Sequence, residues 1–487
     1  MLDTGWRQLR YGMAMAFGRR INVGNIHRLV DDLLDTRAEF GTLGRDQIQE
    51  MLGTPLDPEA RRLMDTRRWR NAVHQAYRGT DYYRRAIDRL GMTPDELTLE
   101  RSRELAPTPK EALRSMPEAF LNADGDPVLQ TWTTGTTGTP TTFWFSRYEL
   151  DLATALAAVS FVMSIGLGPE DVVQISISSR AILGLHTTMQ SARMVGAACF
   201  VTGIIDPAET IARLVTPVGL AGKKPLVSVI SVIPSYLGML EQAARHRGYS
   251  ADDFGLEHIV CGGEILTESL RARAEDTFGA EVTDNYAMTE TFPLAGLVCG
   301  ERHLHVAADL GLVEVLDPET CEPDGRGQVG MLVVPPYPPY RQTMPVLRLA
   351  TGDLVRRLVD EPTCELAALP ATSPMLGKAT LCPGLGGRPL YQRDVLELVE
   401  SEPDLPLPAR YAVAPATDGF ALHLLGGSHD TGLAARLLAR AARRNLPVTA
   451  VTVHAEASTM PPPEFARALL RETVVVRDER TASWTLR

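Results

Sequence analysis

With 487 residues, 44% of them hydrophobic and 22% charged, the chain has enough apolar material for a large buried core and reads as two or three domains. A net charge of −11 excludes a general nucleic-acid binder, and no run of 18 consecutive apolar residues marks a membrane span. The six cysteines, Cys199, Cys261, Cys299, Cys321, Cys364 and Cys382, form no CxxC pair, so they read as reduced structural thiols of a cytoplasmic protein, neither a disulfide frame nor a zinc site.

The opening MLDTGWRQLRYGMAMAFGRR lacks the ordered basic, apolar and small-residue regions of a secretion signal. Up to about residue 120 the pattern is helical: HRLVDDLLDTRAEF and DPEARRLMDTRRWRNAVHQAYR repeat apolar residues at three- and four-residue spacing. From about 128 the short β-rich runs DVVQISISS, GAACFVTGI, PLVSVISVI and EHIVCGG alternate with helical stretches such as ELDLATALAAVSFVMSIG, PAETIARLV and SYLGMLEQAARHRG. That alternation predicts an α/β fold with a largely parallel sheet. Residues 303–360 then read as an antiparallel β-rich subdomain, with LGLVEVLD, GQVGMLVVPP and PVLRLATGDLVRRL separated by turn residues. The Pro-rich ELAALPATSPMLG (365–377) reads as a hinge. Beyond it YAVAP, TGLAARLLARAARR, PVTAVTVH and PEFARALLRE suffice for a small α+β lid. The expected division is 1–375, a large N-terminal domain of mixed and parallel sheets with helices, and 376–487, a C-terminal lid.

The run TWTTGTTGTPTT (131–142) is nearly all Thr and Gly. Glycines let backbone approach a ligand, and free N–H groups with hydroxyls make a neutral, donor-rich cradle for phosphate oxygens. No GxxxxGK[ST] and no GxGxxG following a strand occurs, so any phosphate held here is held in another fold. The bland reading is a polar loop with turn glycines.

Three further motifs narrow the choice: CGGE (261–264) closes a predicted strand, NYAMTE (285–290) follows the strand-like AEVTD, and TGD (351–353) follows LRLA. In this order and spacing they resemble the adenylate-forming superfamily of acyl-CoA synthetases, adenylation domains and luciferases. The phenylacetate–CoA ligase branch is the most similar, through DYYRRAIDRLGMTPDEL, PTPKEALR, IPSYLGML and HVAADLGLVEVLDPET, over roughly residues 70 to 400.

The resemblance implies ATP and Mg²⁺ as cofactors and assigns roles. Thr133, Thr134, Gly135, Thr136, Thr137 and Gly138 would close over the β- and γ-phosphates. Tyr286, next to Asn285, would lie on adenine, Thr289 would bond the α-phosphate, and Glu290 would hold Mg²⁺. Asp353 would bind the ribose hydroxyls, with Lys378 also among the nucleotide-binding candidates. Gly262, Gly263 and Glu264 would line the adenine and acid pocket, although Glu264 could equally cap the following helix. His186, Ser235, Tyr236, Ala287, Met288 and Phe292 are the acid-pocket candidates, each of which taken singly reads as ordinary packing. The family usually has Gly where this chain has Ala287. His303 and His305 in HLH could face one side of a strand and bind metal, but a two-histidine pair without a third ligand is a weak signal.

The pattern also breaks. Lysine occurs only at Lys110, Lys223, Lys224 and Lys378, so the branch's phosphate-loop lysine is replaced by Thr139 and the usual C-terminal catalytic lysine has no counterpart. Thr380 and Leu381 stand where acidic hinge residues are usual, while Gly387 is retained. An arginine fork does not substitute neutrally for an ammonium, so the lid's part in adenylation and thiol transfer is the doubtful element. The expected reaction is activation of a small, aromatic acid as its acyl-AMP, with CoA, a carrier-protein thiol or an amine as acceptor. Two alternatives stand beside it: a diazotase that activates nitrite for an aryl amine, and a non-catalytic nucleotide-binding relative. A homodimer is expected by analogy with the branch; no nucleic-acid or membrane partner is expected.

Overall fold

A computed structural model describes residues 20–41, 57–133, 140–307, 311–323, 325–334, 336–384, 387–403, 405–426, 432–460, 475–478 and 483–486. Its centre is an eight-stranded sheet. Five strands run parallel in the order Ala198–Val201, Val172–Ser176, Val229–Val232, His258–Gly262 and Glu281–Ala287; then Ala295–Val298, Leu304–Val306 and Ala371–Thr372 add antiparallel. Val172–Ser176 and Val229–Val232 are buried at every residue, the signature of a parallel strand covered on both faces.

The covering helices start and stop where their termini are satisfied. Arg147–Ile165 opens on a capping box, Ser146 with Glu149, and ends at Gly166 in the left-handed region at φ 60. This helix is long and apolar enough to cross a membrane by length and composition. Here Leu152, Ala155, Ala158, Val162 and Ile165 are buried, and it packs on the helices Val23–Phe40 and Ile182–Val195.

A five-stranded sheet lies beside the first. Leu349–Arg356 is its spine, pairing antiparallel with Val329–Val333 and Gly377–Lys378 and parallel with Thr108–Pro109; Glu314–Leu316 completes the edge. The stretch 365–377 read as a hinge is therefore fastened twice, by Ala371–Thr372 to the central sheet and by Gly377–Lys378 to the second. The TWTTGTTGTPTT run joins two strands of a hairpin, Pro127–Trp132 and Thr142–Ser146. Its neck is closed by Thr133 N–H on the Thr141 carbonyl at 3.0 Å and Thr141 N–H on Thr133 Oγ1 at 3.0 Å. Thr134, Gly135, Thr136, Thr137, Gly138 and Thr139 lie outside the described residues, as does PEFARALLRE.

The C-terminal region forms a three-stranded sheet, Tyr411–Ala416 antiparallel to Gly419–Leu425 and this parallel to Val448–His454, with helix Leu433–Arg443 as the crossover. It shares one core with the helices Pro234–His246 and Glu268–Phe278: Leu396, Leu405, Leu407 and Tyr411 pack among Leu237, Leu240, Leu266 and Leu270. Thr267 Oγ1 donates to Glu400 at 2.6 Å and Gln242 Nε2 to the Leu405 carbonyl at 2.7 Å, so the region is docked by polar contacts as well. The β-rich subdomain and the α+β C-terminal region stand as the sequence predicts.

Candidate active site

The carboxyl ends of the strands His258–Gly262 and Glu281–Ala287 open into a pocket, the usual ligand position in an open α/β sheet. Gly263 turns the chain out of the first strand at φ 84, a conformation a side-chain-bearing residue adopts only under strain. A Cβ on Gly262 would meet the Asn285 carbonyl at 3.0 Å, so the two strand ends require glycine to lie this close. Gly263, Glu264, Asn285, Tyr286, Ala287, Met288, Asp353 and Lys378, all singled out from sequence, line this pocket.

Asp353 anchors it. The residue is 1% exposed; its Oδ2 accepts from the Tyr286 hydroxyl at 2.8 Å and its Oδ1 from Lys378 Nζ at 2.9 Å. Burial works against its charge, but Lys378 and Lys110, with the two hydrogen bonds, outweigh it and hold the carboxyl below its ordinary range. The same burial, reinforced by Asp353 and Glu290, pushes the Tyr286 phenol well above its usual value, which keeps it a donor. Each carboxylate oxygen retains acceptor capacity beyond these contacts.

A second group of charges includes Glu290, which acts electrostatically on Tyr286. Glu290, 6% exposed, faces Lys110 Nζ at 3.2 Å. Arg341 is fully buried, its guanidinium over the Phe145 ring at 4.1 Å and the Phe143 ring at 5.2 Å. Its Nε donates to the Met344 carbonyl at 3.0 Å, but both terminal nitrogens lack a hydrogen-bond partner among the described residues. Burial draws this guanidinium down to about 10, against the pull of Glu149 and Glu290. Glu149 does not bond it: that carboxylate is spent on the Ser146, Gln342 and Thr343 backbone N–H groups and both hydroxyls. Phe145 also meets Phe292 edge-on at 5.4 Å, which sets the threonine hairpin against the chain just after Glu290.

Tyr236 is fully buried in the core, its hydroxyl held by Thr210 and the Ile205 carbonyl. Glu264 caps the preceding helix Pro234–His246, not the following one, by accepting from Ser235 N at 2.8 Å and Ser235 Oγ at 3.0 Å. Phe292 packs in the core against Phe145, and half-buried His186 sits on helix Ile182–Val195; neither lines the pocket. Thr289 is half-buried in the turn before Glu290.

Comparison with known proteins decides the family. The model of the family described as "AMP-binding enzyme" matches residues 71–335, more than half of the chain. The chain belongs to the AMP-binding enzymes. It is similar to the phenylacetate-coenzyme A ligase of Thermus thermophilus, 28% identical over 323 residues that cover 63% of this chain and 68% of that one. It is also similar to the Escherichia coli phenylacetate-coenzyme A ligase, 26% identical over 320 residues, covering 63% and 70%. Among solved structures, 2-hydroxyisobutyryl-CoA ligase with 2-HIB-AMP superposes with a TM-score of 0.69 at 20% identity, covering 84% of this chain and 89% of that one. ATP-bound MatB from Rhodopseudomonas palustris gives 0.51 at 18% identity, over 69% and 65%. The protein is thus an adenylate-forming, phenylacetate–CoA ligase-like AMP-binding enzyme and an ATP-dependent ligase.

Sequence reading passed over several residues of this AMP-binding enzyme's site: Lys110, Arg341 and the pocket residues Asp284 and Arg393. Lys110 left a signal in its scarcity, being one of four lysines, two of which sit on site carboxylates. Asp284 titrates unusually. Burial, only partly offset by Arg393 and Arg302, pushes its carboxyl up to about 6. A raised carboxyl is fully favourable to folding below the unfolded value near 4, and that contribution is lost as pH rises through about 6. Asp284→Asn is therefore expected to flatten the pH slope of stability between about 4 and 6 and to stabilise the protein at pH 7 by on the order of 1–3 kcal/mol. Thermal denaturation of both proteins at pH 5 and pH 8 measures this; an unchanged slope in the variant would refute it.

Proposed function

We propose that this enzyme activates a small carboxylic acid as its acyl adenylate, releasing pyrophosphate, and passes the acyl group to the thiol of CoA. The observation that carries the reading is the convergence, at the carboxyl ends of two parallel strands, of the Tyr286–Asp353–Lys378 cluster with the Lys110–Glu290 pair. The first is built to grip a nucleoside, the second to handle charge beside it. The carboxylate oxygen of the acid attacks the α-phosphorus and the bond to pyrophosphate breaks. A thiolate then attacks the acyl carbon, and AMP leaves with the oxygen the acid supplied.

Two anions must meet in that first step, so positive charge has to be in place beforehand. Lys110 and Arg341 supply it from the large domain, which offsets the loss of the phosphate-loop and C-terminal lysines. The donor set also fits Mg²⁺: a single buried hard carboxylate, Glu290, in a chain segment rich in hydroxyls is what this ion takes when it arrives on a triphosphate. When bound, Mg²⁺ neutralises phosphate charge. In this reading the large domain together with Lys378 holds the nucleotide, and the C-terminal region, docked on the helices Pro234–His246 and Glu268–Phe278, acts as the lid. An aromatic acid is favoured by the phenylacetate–CoA ligases among the relatives. The relatives named above bear names of acid–CoA ligases and none of nitrite-activating enzymes, so the diazotase reading draws no support from them.

The test is pyrophosphate release from ATP with Mg²⁺ over a panel of aromatic and short aliphatic acids, with and without CoA, beside nitrite plus aryl amines. Release that requires an organic acid and turns over with CoA is expected. Release with nitrite alone would replace the reading, and silence with measurable ATP binding would favour a non-catalytic scaffold.

A further inference from the structure

Four potential metal ligands that the sequence scatters come together behind the nucleotide pocket. The strands Ala295–Val298 and Leu304–Val306 form a hairpin whose loop begins at Cys299 and ends at His303, closed by Cys299 N–H on the His303 carbonyl at 2.9 Å. His305 follows two residues on, facing the same way along the strand. The segment after Leu349–Arg356 brings Cys364 onto this hairpin, and Thr363 Oγ1 donates to Glu301 at 2.9 Å beside it. One ligand atom from each of Cys299, His303, His305 and Cys364 lies within 4.8 Å of every other, and three of the four residues are buried.

The details around the four are those of a prepared site. His305 presents Nε2 to Cys364 Sγ at 3.1 Å, while its Nδ1 lies 3.3 Å from the Leu369 carbonyl. Donation from Nδ1 to that carbonyl fixes the tautomer in which Nε2 keeps its lone pair, the outer contact that orients a ligating imidazole. His303 N–H points at Cys299 Sγ at 3.4 Å, a donor suited to a thiolate. His303 Nδ1 is buried without a hydrogen-bond partner among the described residues, with the Glu301 carboxylate 3.7 Å away. Buried polar atoms are rarely left orphaned, and a cation held by the four residues would engage this imidazole.

We propose that Cys299, His303, His305 and Cys364 form a structural zinc site. Zn²⁺ takes a tetrahedral Cys₂His₂ set with Zn–S near 2.3 Å and Zn–N near 2.0–2.1 Å, which puts ligand atoms about 3.3–3.8 Å apart. The observed cluster needs a contraction of about 1 Å at most to reach that. Two thiolates balance the ion's charge, and thiolate with imidazole selects it over Mg²⁺. With four protein ligands the site is closed, so it carries no substrate; its work is mechanical. Val298 and Leu304, adjacent to Cys299 and between the two histidines, line the nucleotide pocket, and His305 pairs with Ala371 in the strand that leads towards Lys378. The ion would clamp the pocket's far wall to the 360–372 segment. This inference stands whatever acid the enzyme uses.

The test is metal analysis of the full-length protein purified under reducing conditions without chelators. One zinc per chain is expected in the wild type, and less than a tenth of that in Cys364→Ser. Because a ligand variant can fail to fold, the second arm replaces zinc by Co²⁺ in the wild-type protein; the intense visible bands of a tetrahedral thiolate site are expected, and His303→Ala should weaken and shift them. Removal of zinc should lower the melting temperature and raise KM for ATP more than it lowers kcat. Wild-type protein with no zinc and no tetrahedral Co²⁺ spectrum would overturn the proposal, as would a Cys299–Cys364 disulfide found by thiol titration.

Discussion

Glu290→Gln is expected to lower acid-dependent pyrophosphate release by roughly 10²- to 10³-fold while leaving the fold intact. The substitution keeps the shape and removes the charge. In the wild type that charge is 6% exposed, lies 3.2 Å from Lys110 and acts on Arg341 and Tyr286. Two explanations of a loss compete: Glu290 could serve the reaction, or it could only neutralise Lys110, since a buried cation stripped of its partner is strongly unfavourable. A double substitution separates them. If neutralisation is the whole role, Lys110→Met combined with Glu290→Gln restores activity; if Glu290 holds the ion that travels with ATP, the double variant stays as slow as the worse single one. We expect the second result. Full activity in Glu290→Gln would remove the metal assignment.

Arg341→Met is expected to reduce kcat for adenylation by about 10²-fold, with Arg341→Lys recovering only part of it. The guanidinium is buried over two aromatic rings with neither terminal nitrogen hydrogen-bonded among the described residues, an arrangement that is unfavourable for the free protein. Such a group is worth keeping only if something anionic pairs with it during the reaction. The chain has no lysine between Lys110 and Lys223 and none after Lys378, and Arg341 lies within electrostatic range of the candidate ion ligand. A lysine reaches the same place but cannot stack on Phe143 and Phe145 or present two parallel donors. Steady-state rates beside melting temperatures decide the matter: a lower melting temperature with unchanged kcat would reduce Arg341 to a packing residue.

What could be read from the sequence follows how local each signal is. The strand runs DVVQISISS and EHIVCGG, and the motif ends Gly263, Tyr286 and Asp353, declare themselves because apolar runs and turn residues stand next to one another in the chain. Contacts across long separations were not legible. Lys110 reaches Glu290 only because the short strand Thr108–Pro109 joins the second sheet beside Leu349–Arg356, and Arg341 is placed by Glu149, almost two hundred residues earlier, gripping the Gln342 and Thr343 amides. The same limit hid the cysteines: without the pairing of Leu304–Val306 with Ala371–Thr372, nothing ties Cys364 to Cys299. Tyr236 shows the same limit: its hydroxyl meets Thr210 and the Ile205 carbonyl, partners some thirty residues earlier in the chain.

We expect a carboxylate oxygen of the acid to attack the α-phosphorus of ATP at the pocket lined by Tyr286, Asp353 and Lys378. Turnover with an ¹⁸O-labelled carboxylic acid, ATP and CoA, followed by mass spectrometry of the nucleotide product, tests it most directly. The account predicts AMP carrying one labelled oxygen from the acid, and no label in pyrophosphate. Unlabelled AMP, or ADP with labelled inorganic phosphate, would contradict it.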